Sequence, residues 1–194
     1  MSLIEAGTRL DAMLTEPIIA WRAWTMQQGL RDRGPLLRPI GDSGRVWPAR
    51  APASATCARH THVSPGFDCT CGLHATRTPD LLRRARDPSV VGTVALWGRI
   101  VEHDRGYRAA YAYPQRLRLV CHLCFWLRGI NGSAADLVTR RRRGRLVPLC
   151  LDHVELCNRY GYATPHLVPA EEVESALLSN YAVEVLRTGL AAAA

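Results

Sequence analysis

Two pairs of residues of metal-ligating types, each pair separated by two residues, constrain this chain more than any other feature. The first pair is Cys121 and Cys124, and the second pair is Cys150 and His153. A two-residue spacing lets both side chains of a pair reach one ion, and tetrahedral Zn²⁺ favours such Cys and His ligands. We therefore expect a structural zinc site that these two pairs form together.

The fourth ligand of this site has two candidates. His153 lies three residues after Cys150, and Cys157 lies four residues after His153, so a helix would place all three on one face. We favour His153, because its distance from Cys150 is the usual spacing of a ligand pair. The alternative to a metal site is that the cysteines are free and pack as small apolar side chains.

A second group of Cys and His residues lies earlier in the chain. Cys69 and Cys71 are separated by one residue, so an extended strand would direct both thiols to the same side. Cys57 is the third candidate ligand, and His60 is the first choice among the nearby histidines. We consider a second zinc site at these four residues. The alternative is a strand with two inward thiols beside a histidine-bearing loop.

The cellular compartment of the protein determines whether its seven cysteines form disulfides or remain reduced. Residues 1–17 include acidic side chains and lack a basic start followed by an apolar stretch, unlike a secretory signal. No apolar run approaches the roughly 18 residues that a membrane span requires. We therefore expect a cytoplasmic protein without membrane contacts, whose reduced thiols bind metal and do not form disulfides.

The pattern of apolar residues predicts an α+β fold with a mixed or antiparallel β-rich domain. Strands are expected at 18–26, 36–40, 71–75, 90–103, 107–113, 117–120 and 146–149. Helices are expected at 1–16, after Thr78, near 133–139, from Cys150 and at 170–181.

The length of 194 residues suffices for one substantial core with a small added module. We divide the chain into an N-terminal helical segment (1–16), a β-rich domain with a Cys/His zinc site (17–120), a treble-clef-like zinc module (121–160) and a C-terminal helix and strand (161–194). The treble clef is inferred because one ligand pair follows a strand and the other lies at the start of a helix.

The middle of the chain is strongly basic. Residues 81–150 hold 14 Arg against four acidic residues, whereas residues 151–194 hold two Arg against six acidic residues. A run of arginines between the two ligand pairs is suited to neutralising phosphates. This run consists of Arg140, Arg141, Arg142, Arg143 and Arg145. The alternative is a solvated loop in a protein without lysine, whose Arg content reflects a GC-rich coding sequence.

The stretch VGTVALWGRIVEHDRGYRAAYAYP at 91–114, preceded by CTCG at 69–72, is similar to a group of uncharacterised actinobacterial proteins. The resemblance covers about residues 17–120. It implies a bacterial cytoplasmic protein and supplies no activity. The part after Cys121 resembles treble-clef modules through its ligand spacing only, which proteins of many functions share.

Three functional hypotheses follow from these patterns. The first is a zinc-stabilised, regulatory binding protein without catalytic residues, which contacts nucleic acid or a nucleic-acid-associated machine through its Arg-rich middle. The second is an adaptor with structural zinc that docks an acidic protein partner. The third is a transferase-like enzyme that uses a cleft near Glu102 and His103. We favour a protein that is not an enzyme, because no nucleophile elbow, phosphate loop or paired-His metalloprotease helix is present.

Overall fold

The computed structural model describes residues 16–30, 34–41 and 45–187. The predicted N-terminal helix lies outside these ranges except for its last residue, Glu16. Over the described residues the fold is α+β, with ten strands joined in one sheet and three α-helices. The fold class agrees with the prediction at this level.

The strands, in chain order, are β1 (Ile18–Gln28), β2 (Pro35–Pro39), β3 (Ala53–Ser54), β4 (Leu73–Thr76), β5 (Val90–His103), β6 (Gly106–Leu119), β7 (Leu137–Arg140), β8 (Arg145–Leu149), β9 (Val168–Pro169) and β10 (Glu184–Val185). The α-helices are α1 (His122–Arg128), α2 (Leu151–Arg159) and α3 (Ala170–Tyr181), and short 3₁₀ helices span Pro79–Arg84, Ile130–Gly132 and Arg142–Gly144.

The long antiparallel hairpin of β5 and β6 forms the centre of the sheet. Valine-rich β5 is buried over most of its first half, as expected for a strand covered on both faces. Gly106 begins β6, where a Cβ would lie 2.0 Å from the backbone oxygen of Ala75 in β4. Only glycine allows β4 to approach the hairpin this closely.

Four strands form a closed circuit through the pairs β1–β5, β5–β6, β6–β4 and β4–β1. Every pair in the circuit is antiparallel, whereas β10 runs parallel to β6. β8 also pairs with β1, where Met26 lies opposite Leu146. One sheet therefore extends through the ranges 17–120, 121–160 and 161–194.

Helix α3 covers the sheet beside β2 and β6. Leu177 and Tyr181 of this helix are fully buried in the main core, together with Trp24 of β1. The Tyr181 hydroxyl accepts a hydrogen bond from the backbone N–H of Leu37 at 3.0 Å and donates one to the backbone oxygen of Trp47 at 2.8 Å. Burial raises the pKa of Tyr181 to about 12, so this hydroxyl keeps its proton and can donate.

The helix predicted near 133–139 is wrong. Leu137–Arg140 forms strand β7, which pairs with β8 and places Val138 and Thr139 in buried positions. Two β-branched residues next to a free strand edge favour the ladder over a helix. The helix in this region is α1, which begins directly after Cys121.

Two strand boundaries also differ from the prediction. The segment 117–120 is not a separate strand, because β6 continues without interruption from Gly106 to Leu119. Strand β4 begins at Leu73, so Cys71 lies in the preceding loop. The strands at 18–26 and 36–40 and the helix at 170–181 are confirmed to within about two residues.

Candidate metal centres

The structure brings Cys121, Cys124, Cys150 and His153 together, and we call this group the C-terminal cluster. One ligand atom from each residue lies within 4.8 Å of the ligand atoms of the other three. Cys121 and Cys124 are buried, whereas Cys150 keeps partial exposure. The group is therefore placed to hold a metal ion at the edge of a small core that includes Leu149 and Val154.

Both ligand pairs occupy the same positions at the start of a helix. Cys121 is the N-cap of α1 and Cys150 is the N-cap of α2. The second member of each pair follows three residues later, in the first turn of the helix. Unpaired N–H groups at a helix start favour negative charge, which would offset part of the cost of burying a thiolate there. The first pair thus lies at a helix start and not in a turn between two strands.

Four distances between ligand atoms of the C-terminal cluster lie at 3.0–3.6 Å, at or slightly below the edges of a tetrahedral zinc site. The Sγ atoms of Cys124 and Cys150 are 3.6 Å apart. The Nδ1 atom of His153 lies 3.3 Å from Sγ of Cys121, 3.5 Å from Sγ of Cys124 and 3.0 Å from Sγ of Cys150. Metal–sulfur and metal–nitrogen bonds of zinc length give tetrahedral edges of about 3.5–3.8 Å.

Without a cation, the surroundings of the C-terminal cluster disfavour the thiolate forms of Cys121 and Cys124. Burial raises the pKa of Cys121, and it raises the pKa of Cys124 to about 12, with neighbouring Cys150 and Cys121 adding to the increase. Backbone N–H groups of Cys124 and Cys150 oppose this effect at Cys121. A bound dication would reverse the balance and keep the thiols ionised.

Cys157, the alternative fourth ligand, does not belong to the C-terminal cluster as the structure describes it. Its side chain is partly buried and packs against the small core near the cluster. One additional helical turn separates it from the first turn of α2, where His153 lies. The geometry therefore favours His153 as the fourth ligand.

A second group, which we call the N-terminal cluster, consists of Cys57, His62, Cys69 and Cys71. All four side chains are partly exposed. The Sγ atoms of Cys57 and Cys69 are 3.7 Å apart, and Sγ of Cys71 lies 3.7 Å from Nε2 of His62. These distances also match the edges of a tetrahedral site, so this group is placed to hold a second ion.

The hydrogen bonds around the N-terminal cluster prepare its ligand atoms. Nδ1 of His62 donates to the backbone oxygen of Val63 at 3.0 Å, which leaves the Nε2 lone pair directed toward Cys71. The hydroxyl of Ser64 is the largest cause that lowers the pKa of Cys71 to about 6, and the backbone N–H of Gly66 adds to it. Cys71 thus favours the thiolate that a metal binds.

Arg108 of β6 fixes the loop that carries these ligands. Its guanidinium donates to the backbone oxygens of Gly66 and Cys71, each at 3.1 Å, and also to that of Cys69. One guanidinium group thereby binds three backbone carbonyl groups of a loop that has no regular secondary structure. This contact sets the curvature of the loop, although no strand carries Cys69 and Cys71 as the sequence predicted.

The histidine of the N-terminal cluster differs from the predicted one. His62 supplies the fourth ligand atom, whereas His60 is exposed and its ring centre lies 5.9 Å from that of His62. His74 is also outside the group, because its Nε2 donates to the backbone oxygen of Thr70. No spacing rule separates His60 from His62, since both lie in the same irregular loop.

Gly66 offers a test of the N-terminal cluster. A Cβ at this position would lie 2.6 Å from the His62 ring, so Gly66→Ala must displace the ring. We expect metal affinity at this cluster to fall about 10-fold or more, in the range seen when supporting residues of a metal site are changed. Competition with a chromophoric chelator measures the affinity. Gly41→Ala is the control for a change in stability alone: its φ of +85° strains an alanine backbone, but no atom lies within 4 Å of the added Cβ, so no metal ligand is displaced. Equal affinity in the parent and Gly66→Ala would contradict the assigned role of His62.

The predicted arginine run forms the turn of the β7–β8 hairpin. Arg140 ends β7, Arg141, Arg142 and Arg143 lie in the turn, and Arg145 begins β8. The residues from Arg140 to Arg143 are exposed and line a cleft of about 600 Å³ together with His166. Arg145 pairs with Asp87 at 3.3 Å, whereas none of the other four forms a salt bridge with any described residue.

The predicted cleft near Glu102 and His103 contains only one of the two residues. Glu102 forms an ion pair with Arg77. His103 lines a cavity of about 350 Å³ beside β1 and β4. The two side chains therefore do not form an acid–base pair.

No protein-family model matches this chain, and no match was found among curated proteins or solved structures. The resemblance to actinobacterial proteins and the cytoplasmic location therefore stay predictions. Within the described ranges, none of the helices is both long and apolar enough to span a membrane.

Proposed function

We propose that this chain is a zinc-stabilised binding protein that contacts nucleic acid through the arginines of the β7–β8 turn. Both clusters would hold Zn²⁺, because three thiolates and one imidazole at tetrahedral distances suit this ion. Four protein ligands leave no coordination position for water or substrate, so the zinc would be structural in both clusters. The C-terminal cluster would then complete a treble-clef-like module.

The observation that carries this proposal is the cleft at the β7–β8 turn. Four adjacent arginines, Arg140 to Arg143, line it, and no carboxylate lines it among the described residues. Four unneutralised guanidinium groups on one turn repel one another, and a chain of phosphates would relieve that repulsion. Because the turn is tight, its four guanidinium groups would lie close enough together to contact successive phosphates.

The C-terminal cluster supports the turn mechanically. Strand β8 runs from Arg145 at the turn to Leu149, and the next residue is the ligand Cys150. Zinc at Cys150 would anchor one end of β8, while the ladder with β7 fixes the other end. A metal site that does no chemistry could therefore still determine where the arginines lie.

The same turn would also suit an acidic protein partner, which is the adaptor hypothesis.

Binding to oligonucleotides across a salt series tests this proposal. We expect the zinc-loaded chain to bind short duplex and single-stranded oligonucleotides, measured by fluorescence anisotropy, with affinity that falls as salt rises. Replacing Arg140 to Arg143 with Gln should weaken binding about 100-fold or more at low salt. It should also reduce the slope of log K against log salt on duplex by about 3–4, because each lost phosphate contact contributes about 0.9.

The matched control removes the same charge from exposed arginines elsewhere. It carries Gln at Arg50, Arg84, Arg99 and Arg187. This control should keep most of the affinity and most of the salt slope. Equal losses of oligonucleotide affinity in both variants would show that binding depends on the net charge of the chain and not on the position of these arginines. A parent chain that binds no oligonucleotide at low salt, but co-purifies with an acidic protein, would favour the adaptor.

A further inference from the structure

A cavity of about 350 Å³ shares no lining residue with either cluster or with the arginine turn. Strands β1 and β4, the 3₁₀ helix Pro79–Arg84 and the turn between β5 and β6 surround it. Its wall is apolar at Trp21, Ile40, Leu82 and Ala85. Its basic lining residues are Arg22, His74, His103 and Arg105, and no carboxylate is among the described residues that line it.

Arg22 carries a charge that the described chain does not neutralise. It forms no salt bridge within the described ranges, and its Nε is shielded from solvent without a hydrogen-bond partner. Its guanidinium donates to the backbone oxygen of His74 and lies 4.9 Å from the centre of the Trp47 ring. Burial lowers the pKa of Arg22 to about 10, so the surroundings of its guanidinium disfavour the charged form.

Positively charged side chains also surround His74. Burial is the largest cause that lowers the pKa of His74, and the charges of Arg22, Arg108 and His103 lower it further. His74 is therefore neutral near pH 7 and donates from Nε2 to the backbone oxygen of Thr70. An anion in the cavity would offset this accumulated positive charge.

Two carboxylates adjoin the basic lining residues along the chain, and neither lines the cavity. Asp104 follows His103 in the turn between β5 and β6 and is exposed. Glu102 precedes His103 on β5, but its carboxylate pairs with Arg77 outside the cavity lining. The ring of Tyr107, 4.8 Å from the guanidinium carbon of Arg77, helps to hold that arginine in place. The protein thus supplies the cavity with cations and keeps both carboxylates out of its lining.

We propose that the cavity binds a small organic anion, namely an apolar ring or branched chain that carries one carboxylate or phosphate group. The apolar wall would contact the body of the ligand, and Arg22, His103 and Arg105 would contact its charge. The volume lies at the lower end of the range for ligand pockets, about 300–1,000 Å³, which favours a ligand of one ring. This site is independent of the nucleic-acid contact.

Calorimetric titration of the zinc-loaded chain with benzoate, phenyl phosphate and neutral benzamide tests the site. We expect at least one of the two anions to bind, and benzamide to bind at least about tenfold more weakly, since hydrogen bonds to a charged group are stronger than those to a neutral group. Binding of only one anion would identify the preferred charged group.

Two variants and one control locate the binding. Arg105→Gln and His103→Ala should each weaken anion binding about tenfold, because the first removes a charge and the second removes a side-chain hydrogen-bond donor from the lining. Arg99→Gln removes an exposed charge of the same strand β5 that does not line the cavity, so binding should stay as in the parent. No anion binding by the parent at millimolar concentration, equal binding of benzamide, or equal loss in Arg99→Gln would each overturn the proposal.

Discussion

Replacing Cys124 with serine is expected to remove the ion of the C-terminal cluster and to destabilise the chain strongly. Apparent binding free energies of structural zinc sites are about 10–16 kcal/mol, which is comparable to the whole stability of a domain. Because β8 leads from the sheet directly to Cys150, loss of the ion would also loosen the β7–β8 hairpin. We expect a decrease in melting temperature of more than about 10 °C, measured by circular dichroism or scanning calorimetry.

Cys157→Ser is the matched control for this variant. It changes the same atom type in a cysteine that packs near the C-terminal cluster but is not among its four residues. This control should keep the full metal content and melt within a few degrees of the parent. If Cys157→Ser lost the metal while His153→Ala kept it, Cys157 would be the fourth ligand and the assignment to His153 would be wrong.

Replacing Tyr181 with phenylalanine is expected to lower the free energy of unfolding by about 2–4 kcal/mol. The change removes only the hydroxyl, but it leaves the N–H of Leu37 and the backbone oxygen of Trp47 without their partner in the core. Each buried polar group left unsatisfied costs about 1–3 kcal/mol. Urea unfolding followed by tryptophan fluorescence measures the effect, and Trp24 and Trp47 of the same core serve as reporters.

Tyr111→Phe is the control for the Tyr181 variant, because Tyr111 is 44% exposed on β6. It should change the free energy of unfolding by less than about 0.5 kcal/mol, as is usual for surface positions. A Tyr181→Phe variant as stable as the parent would show that α3 does not depend on these two hydrogen bonds. The docking of α3 would then rest on apolar contacts such as Leu177.

Local patterns predicted the parts of the fold whose signals are local. The β5–β6 hairpin follows from two β-rich segments around a short turn, and α3 follows from its acidic first turn after Pro169. The region 133–139 was mispredicted because its structure depends on pairing with β8. Local patterns predict the strand at 146–149 but not that residues 137–140 pair with it. The joining of β8 to β1 is likewise a contact between distant segments.

The two clusters also differ in how far local residue spacing predicts their ligands. Spacing alone singled out Cys121, Cys124 and Cys150 and favoured His153 over Cys157, because a two-residue spacing lets both side chains of a pair reach one ion. Spacing could not choose between His60 and His62, since the choice depends on the backbone oxygen of Val63 and on Arg108 from a distant strand. The cavity at Arg22 left no local pattern, because its lining residues come from five separate segments.

Elemental analysis of the purified chain decides whether the two clusters hold zinc. The protein would be purified without added metal, and every metal per chain would be measured for the parent and for Cys69→Ser. Two structural sites predict two zinc ions in the parent and one in Cys69→Ser, with the fold retained through the C-terminal cluster. A folded parent chain that contains no zinc, with all seven thiols free to react, would contradict the account.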